Sequence, residues 1–370
     1  MNEMILQYEY YMSKAIELAE RAKGQTSPNP LVGAVIVNSE GTLIAEGFHE
    51  KAGCPHAEVV ALREASADNL KGSTLFVNLE PCCHYGKTPP CAKAIIEAGI
   101  SKVVIGSLDP NPKVSGGGIK ALQEAGISVI SGVLERQCAE LNRFFFHWIQ
   151  NKKPWVSLKI AATLDGKISI EPHGKWITGL EARKQVHKLR SEFDAVLTGS
   201  GTIMADDPQL TVRLAEGRNP VRVVLDRRLR CDKDKRVFQE DGLVLLFTGS
   251  MEKAHQKGFQ QANIEIIEWD GNLMSMLSQL AERNILSVMV EAGNVVNSSF
   301  IRENAFNELL YFVNPSLFGG SMSVNSSDEL FTKLTLQSVK KYDKDLLFIL
   351  HPLTTGQKQL NEINERLNCV

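Results

Sequence analysis

Apolar residues recur at helical spacing over residues 5–23, where Ile5, Tyr8, Met12, Ala15, Leu18, Ala19 and Ala22 share one face and Gly24 ends the run. A continuous apolar run at 31–37 reads as a buried strand. Two periods then alternate. The pattern predicts a helix over 56–68, a strand at 74–79, a helix at 91–98 and a strand at 102–105. A helix at 119–125, a short strand at Val129 and a helical stretch over 133–150 follow. Strands alternating with helices of this length predict βαβ units and a largely parallel sheet.

The pattern breaks at Lys152-Lys153-Pro154 and restarts, which sets domains at 1–150 and 151–370. Strands are predicted at 155–161, 195–198, 221–225, 243–247, 285–290, 308–313 and 346–350. Helices are predicted at 181–190, 273–282 and 295–303. The halves share no convincing repeat, and the chain beyond Pro352 is polar and expected to fray. Both halves belong to the α/β class.

Composition narrows the function classes. With 43% hydrophobic and 23% charged residues and a net charge of -2, the chain is that of an ordinary globular protein. Neither half has the basic excess of a general nucleic-acid binder. No apolar run is long enough to cross a bilayer, so no membrane partner is expected. Glu3 and Glu9 without a basic flank do not form a signal peptide, and seven cysteines, an odd number, suit free thiols better than a disulfide framework. A cytoplasmic location follows as the expectation, with a homo-oligomer as the expected assembly.

The chemistry gathers in two short runs, Pro55-His56-Ala57-Glu58 and Pro81-Cys82-Cys83-His84, the latter leading to Pro89-Pro90-Cys91. One imidazole and two thiolates can hold a zinc ion and leave its fourth position open, the catalytic form of the metal. His-x-Glu followed by Pro-Cys is the signature of zinc-dependent base deaminases, in which the glutamate carries protons and is not a ligand. Side chains two apart diverge within a helix, so Pro55 suits a helix start at which both can flank one point. Cys91 opens a helix, where the dipole favours its thiolate. Each signal alone is weak, since a cysteine after proline is commonly a small buried hydrophobe. Cys83 competes with Cys82 as a ligand. Cys54, Cys138, Cys231 and Cys369 have no partner pattern.

The spacing discriminates further. Nucleic-acid and free-base deaminases usually carry Pro-Cys-x-x-Cys, whereas eight residues separate Cys82 from Cys91. Residues 27–33, Gly47-Phe48-His49, His56-Ala57-Glu58, residues 80–91, and Asp109-Pro110-Asn111-Pro112 with Gly116 and Gly118 together resemble the deaminase domain of the bifunctional riboflavin-biosynthesis enzyme family. The resemblance implies a cytidine-deaminase-like zinc domain with one zinc on His56, Cys82 and Cys91, and Glu58 as the proton carrier. It implies that Asn29 and His49 contact substrate. His84, Lys87 and Thr88, on the loop between the cysteines, suit a ribose phosphate; solvated or internally satisfied roles stay open for His84 and Lys87. Cys83 departs from the serine frequent in that family.

In the second half, Gly199-Ser200-Gly201-Thr202 and Glu291-Ala292-Gly293-Asn294 each follow a predicted strand. Such junctions can hold phosphate or serve only as tight turns, and the Gly-x-Gly-x-x-Gly fingerprint is absent. Residues 155–320 resemble the reductase domain of the same family through residues 159–166, Trp176-Ile177-Thr178, residues 205–213 and residues 290–293. That resemblance implies a dihydrofolate-reductase-like domain using NADPH. The cofactor contacts it implies are Ala161, Trp176, Thr202, Asp206 and Gly293, Asn294, Val295, Val296, Asn297, Ser298 and Ser299. Substrate contacts fall on Lys159, Gly174, Arg190, Leu210, Arg213 and Glu291. Arg190 and Arg213 suit a phosphate through bidentate hydrogen bonds. Arg227 and Arg228 suit a 2′-phosphate or plain solvation, and Asp165 and Asp206 could be turn or cap residues. Gly174 stands where the family usually has a serine, so that contact is missing or supplied by a neighbour such as His173.

The resemblance implies two reactions on a phosphorylated pyrimidine. The first is hydrolytic deamination of 2,5-diamino-6-ribosylamino-4(3H)-pyrimidinone 5′-phosphate. The second is NADPH-dependent reduction of the ribosyl side chain, giving 5-amino-6-(5-phospho-ribitylamino)uracil. A nucleic-acid or nucleoside deaminase with an accessory domain is opposed by the near-neutral charge and the long loop between the cysteines. A structural zinc scaffold is opposed by the intact Glu58 and the intact 205–213 run.

Overall fold

The computed structural model describes residues 2–84, 89–170, 174, 176–319 and 332–353. The chain divides into two compact units, Met1–Lys153 and Pro154–Val370.

The first unit is built on strands β1 (Gly33–Val37), β2 (Leu43–Phe48), β3 (Thr74–Leu79), β4 (Lys102–Ser107) and β5 (Ser128–Ser131), in the order β2-β1-β3-β4-β5. Strands β3, β4 and β5 run parallel, but β1 is antiparallel to both neighbours, which corrects the expectation of a largely parallel sheet here. Alternate residues of β1 face opposite layers, as strand geometry requires. Ala34 and Ile36 pack with Ala57, Ala61, Ala92, Ile95 and Leu122 from helices Ala57–Glu64, Cys91–Glu97 and Gly117–Glu124. Val35 and Val37 pack with Met12, Ala15 and Leu18 of helix Asn2–Glu20. Burial on both faces is why β1 reads as a continuous apolar run. Ile5, expected on the buried stripe of the first helix, is instead 48% exposed.

Two helical stretches depart from the apolar pattern. The helix expected over 56–68 stops at Glu64, and a separate turn covers Ala67–Leu70. The stretch 133–150 is two helices, Glu135–Leu141 and Arg143–Asn151, parted at Asn142. The Asn142 side chain accepts the Leu31 N–H at 2.8 Å and donates to the Leu31 carbonyl at 2.9 Å. Asn78, fully buried in β3, donates to that carbonyl at 2.9 Å and accepts the Gly33 N–H at 2.8 Å. Buried backbone groups need partners, and these two asparagines supply them for the segment that carries Asn29.

The second unit holds β6 (Trp155–Thr163), β7 (Ala195–Gly199), β8 (Val221–Leu225), β9 (Val244–Thr248), β10 (Ile264–Glu268), β11 (Ser287–Val290), β12 (Glu308–Asn314), β13 (Leu334–Tyr342) and β14 (Asp345–Pro352). Their order is β10-β9-β8-β7-β11-β6-β12-β14-β13. Pairing is parallel from β10 to β12, and the last two strands turn antiparallel. The chain leaves β7 toward β8 on one side and leaves β11 toward β12 on the other. Where neighbouring strands send their connections opposite ways, a crevice opens beyond their C-terminal ends, the usual ligand position in α/β sheets. The core gathers Val156, Leu158, Leu197, Val223, Leu245, Phe247, Val288 and Val290 from the strands against Leu273, Met276, Leu277, Leu280 and Phe300.

Candidate functional sites

In the first unit, His56 is the N-cap of helix Ala57–Glu64 and keeps extended backbone angles (φ -71, ψ 157), which places Glu58 in the first turn. This break in regular geometry lets His56 and Glu58 flank one point. Cys91 opens helix Cys91–Glu97, and Cys82 lies three residues beyond the end of β3. The candidate ligand atoms of His56, Cys82 and Cys91 lie within 4.8 Å of one another. His56 Nδ1 is 3.1 Å from Cys91 Sγ and 3.7 Å from Cys82 Sγ. Zinc bonds of about 2.0–2.3 Å to nitrogen and sulfur fit donors so grouped. Cys83 turns away, its thiol 3.7 Å from the Lys113 carbonyl.

The electrostatics agree with that donor set. Hydrogen bonding from Cys91 brings Cys82 down to about 4, with burial opposing and His56 assisting. Cys91 is pushed up, first by sharing its proton with Cys82 and then by burial. A thiolate, an imidazole and a second thiol form a group that a zinc ion takes up with release of protons. Glu58 is 3% exposed. Burial raises its carboxyl above the usual range, His56 works against this, and the Cys91 thiol is within hydrogen-bonding contact.

Asn29 and His49 converge on the same place. Asn29 Nδ2 lies 3.0 Å from His49 Nε2, His49 Nδ1 lies 3.0 Å from the Pro55 carbonyl, and the His49 and His56 rings meet edge to face at 5.6 Å. A ring that donates through Nδ1 must accept through Nε2, which fixes the tautomer. His84 is exposed, and Lys87 and Thr88 lie outside the described residues. Sequence reading did not single out Glu80 as an anchor. Its buried carboxylate accepts N–H groups from Asp109 (3.4 Å), Gly116 (3.1 Å), Gly118 (3.0 Å) and Ile119 (3.3 Å). Burial raises the neighbouring Asp109 to about 6 while the Asn111 N–H works against it. Glycines at 116 and 118 beside a buried acid were the available signal.

In the second unit, the two Gly-containing junctions meet in the crevice between β7 and β11, where Thr202 Oγ1 accepts the Gly293 N–H at 3.1 Å. Asn297, in the first turn of helix Asn294–Arg302, donates to the Ala292 carbonyl at 2.9 Å, while its buried Oδ1 has no partner among the described residues. Val295 is exposed, Ser299 donates to the Val295 carbonyl, and Ser298 is buried. A cavity of about 260 Å³ is lined by Ser200, Val295, Val296 and Ser299 together with Arg227 and Arg228. The open helix N–H groups and the cationic wall fit a dinucleotide phosphate, and the Asn297 Oδ1 is an acceptor suited to a hydroxyl or amide donor of the same ligand.

Beside this crevice, Glu291 receives Arg190 in a bidentate pair (2.6 and 3.0 Å) and Lys159 at 3.7 Å. Burial works to raise Glu291, but Arg190 and Lys159 outweigh it and hold it at about 2. Arg190 also donates to the Thr211 carbonyl at 3.1 Å. Each of its three nitrogens thus makes a bond within the protein. Arg213 is exposed, with Nη1 on Thr211 Oγ1 at 2.6 Å. Leu210 is buried with φ 59. Ala161 is half-buried on β6, Asp206 ends helix Ser200–Asp206 at the surface, and Gly174 and Trp176 are exposed, the Arg183 guanidinium lying 4.7 Å from the indole. Asp165 is a turn residue, accepting the Thr163 hydroxyl and the Gly319 N–H.

A three-donor zinc cluster with a buried carboxyl on one sheet, and a switch-point crevice on another, define a two-domain enzyme of the pyrimidine deaminase and reductase class. The cytidine and deoxycytidylate deaminase zinc-binding region matches residues 6–107, and the RibD C-terminal domain matches residues 154–348. Riboflavin biosynthesis protein RibD of Aquifex aeolicus is 41% identical over 344 residues, 91% of this chain and 96% of that protein. The Escherichia coli protein of that name is 38% identical over 330 residues, 85% and 89% respectively. The deaminase/reductase structure from Thermotoga maritima superposes with a TM-score of 0.87 at 43% identity, covering 95% of this chain and 100% of that one. Acinetobacter baumannii RibD gives 0.86 at 38% identity with the same coverage. The chain belongs to the RibD family of bifunctional deaminase–reductases of riboflavin biosynthesis, with a zinc-binding deaminase domain and an NADPH-dependent reductase domain.

Proposed function

We propose that residues 1–150 remove the 2-amino group of 2,5-diamino-6-ribosylamino-4(3H)-pyrimidinone 5′-phosphate, and that residues 151–370 reduce the ribosyl group of the product to ribityl. The observation that carries the reading is the buried Glu58 against the His56, Cys82 and Cys91 cluster, in one chain with the β7–β11 crevice. When bound, zinc supplies an electrophile that acidifies water, and NADPH supplies a hydride.

The chain's own groups do the rest. Burial raises the Glu58 carboxyl above its usual range, which suits it to take a proton from the attacking water and hand it to the departing amine. Asn29 and His49 orient the pyrimidine, while His84, Lys87 and Thr88 take the phosphate. Thr202, Gly293 and the turn through Ser299 hold the cofactor's diphosphate. Arg227 and Arg228 meet its 2′-phosphate, which favours NADPH over NADH. Lys159, Leu210, Arg213 and Glu291 hold the phosphorylated sugar, with Arg190 fixing Glu291. Among the described residues six cysteines are free, in keeping with a reducing cytoplasm. No helix among them is long and apolar enough to cross a membrane. The edge strand β13, with Leu336 and Val339 outward, offers a surface for a homo-oligomer.

Incubation with the diaminopyrimidinone phosphate, with and without NADPH, tests the reading. Ammonia should appear in both cases, and cofactor absorbance should fall only after ammonia release. Absorbance loss without prior ammonia would reverse the assigned order.

A further inference from the structure

Helix Leu180–Glu192 presents His187 and Arg190 one turn apart, and both reach the segment that carries Arg213. The Arg213 N–H donates to His187 Nδ1 at 2.9 Å. Arg190 Nη1 donates to the Thr211 carbonyl at 3.1 Å. Between them the Val212 N–H donates to Asn219 Oδ1 at 2.8 Å. Three successive residues of an irregular loop thus have a backbone group held by a side chain. The loop begins at a buried left-handed residue, Leu210 (φ 59), so no strand ladder fixes it. Arg190 is tied through its other nitrogens to Glu291. Arg213 engages only Nη1 among the described residues, which leaves Nε and Nη2 for a ligand.

We propose that His187 is a positioning residue of the reductase, whose Nδ1 holds the main chain at Arg213 and so presents that arginine to the phosphorylated substrate. The proposal rests on the assignment of Arg213 to substrate. For Nδ1 to accept, the ring must be neutral with its proton on Nε2. The surroundings keep it so. Burial and the charges of Arg190 on its own helix, Arg213 on the loop and Lys159 on β6 all disfavour the imidazolium, and Glu291 beyond β11 opposes them.

Two neutral replacements separate the atoms. In His187→Asn the amide oxygen takes the position of Nδ1, and in His187→Gln it takes the position of Nε2. The Asn variant should keep the KM for the deaminated substrate within about twofold, and the Gln variant should raise it about fivefold to tenfold, the scale of one hydrogen bond. Both should keep kcat, NADPH affinity and ammonia release near the parent values. In an Arg213→Ala background His187→Gln should add nothing further, because the two residues act as one. Equal KM values for Asn and Gln, an undiminished Gln effect without Arg213, or a fall in kcat at constant KM would each overturn the proposal. Arg213→Ala with unchanged KM would overturn the substrate assignment itself, and His187 would lose its role with it.

Discussion

The Glu80 carboxylate accepts the Gly118 N–H at 3.0 Å, across 38 residues of sequence, and so binds the 109–119 loop to the turn that carries Cys82. The contact is close enough that a Cβ on Gly118 would lie 2.0 Å from the Pro81 carbonyl oxygen. A carboxylate can accept from all four N–H groups around it, but an amide offers one oxygen and turns two donors toward the rest. Glu80→Gln should therefore lower stability by about 1–3 kcal/mol and reduce deamination. Reduction of the deaminated intermediate should stay normal. Denaturant titration with paired ammonia and NADPH assays reads the effect, and unchanged ammonia release would remove Glu80 from the organisation of that site.

Cys91→Ser should lose both zinc and ammonia release, because its thiol lies within the three-donor cluster. Cys83→Ser should keep both, since that thiol faces the Lys113 carbonyl. Metal analysis of the two purified variants decides the ligand set, and equal loss in both would mean that Cys83 is a ligand.

Glu58→Gln should retain zinc yet lose deamination by about 10²-fold or more, the scale of a general acid–base group. Given the deaminated intermediate, the same variant should still oxidise NADPH. Failure at that second step would show that the two units do not work independently.

The His187 ring is held down to about 4, first by burial and then by Arg190 and Arg213. An unfolded histidine takes its proton near 6.5. The unfolded chain thus protonates first, and the residue withdraws stability progressively as pH falls from about 6.5 toward 4. In His187→Asn that loss should be absent, so the difference between variant and parent should shift in the variant's favour across the window. Denaturation midpoints measured from pH 7 to pH 4.5 would show it, and parallel curves would mean that His187 titrates as an exposed histidine does.

The metal cluster was legible because its residue types are scarce and its order is distinctive: His56, Cys82 and Cys91 meet as their spacing suggests. The preference for Cys82 over Cys83 came from the family resemblance, because residue type alone does not say which way a loop turns. Strand β2 escaped the pattern because Leu43 and Glu46 are exposed and Gly47 has no side chain to mark the buried face. Asn78 and Asn142 escaped for a related reason. A polar residue inside an apolar element carries no periodic signal, and its partners at Leu31 and Gly33 are 45 to 111 residues distant. The pairing of Arg190 with Glu291 was not legible, because the two lie 101 residues apart. Arg222 lies in the apolar run of β8, yet it is fully buried with its guanidinium on the carbonyls of Val237, Glu240, Asp241 and Gly242.

Gly47 seats the helix that carries Glu58 directly on β2. A Cβ there would lie 2.6 Å from Ala61 N and 2.7 Å from the Ala57 oxygen. Most helices rest on sheets through side chains, which behave as adjustable spacers: a changed neighbour is absorbed by a rotamer and a small tilt. Here main chain bears on main chain and there is no spacer to adjust. The height of the proton carrier above its sheet is thus a fixed clearance, insulated from the repacking that gradual sequence change brings to the rest of the core.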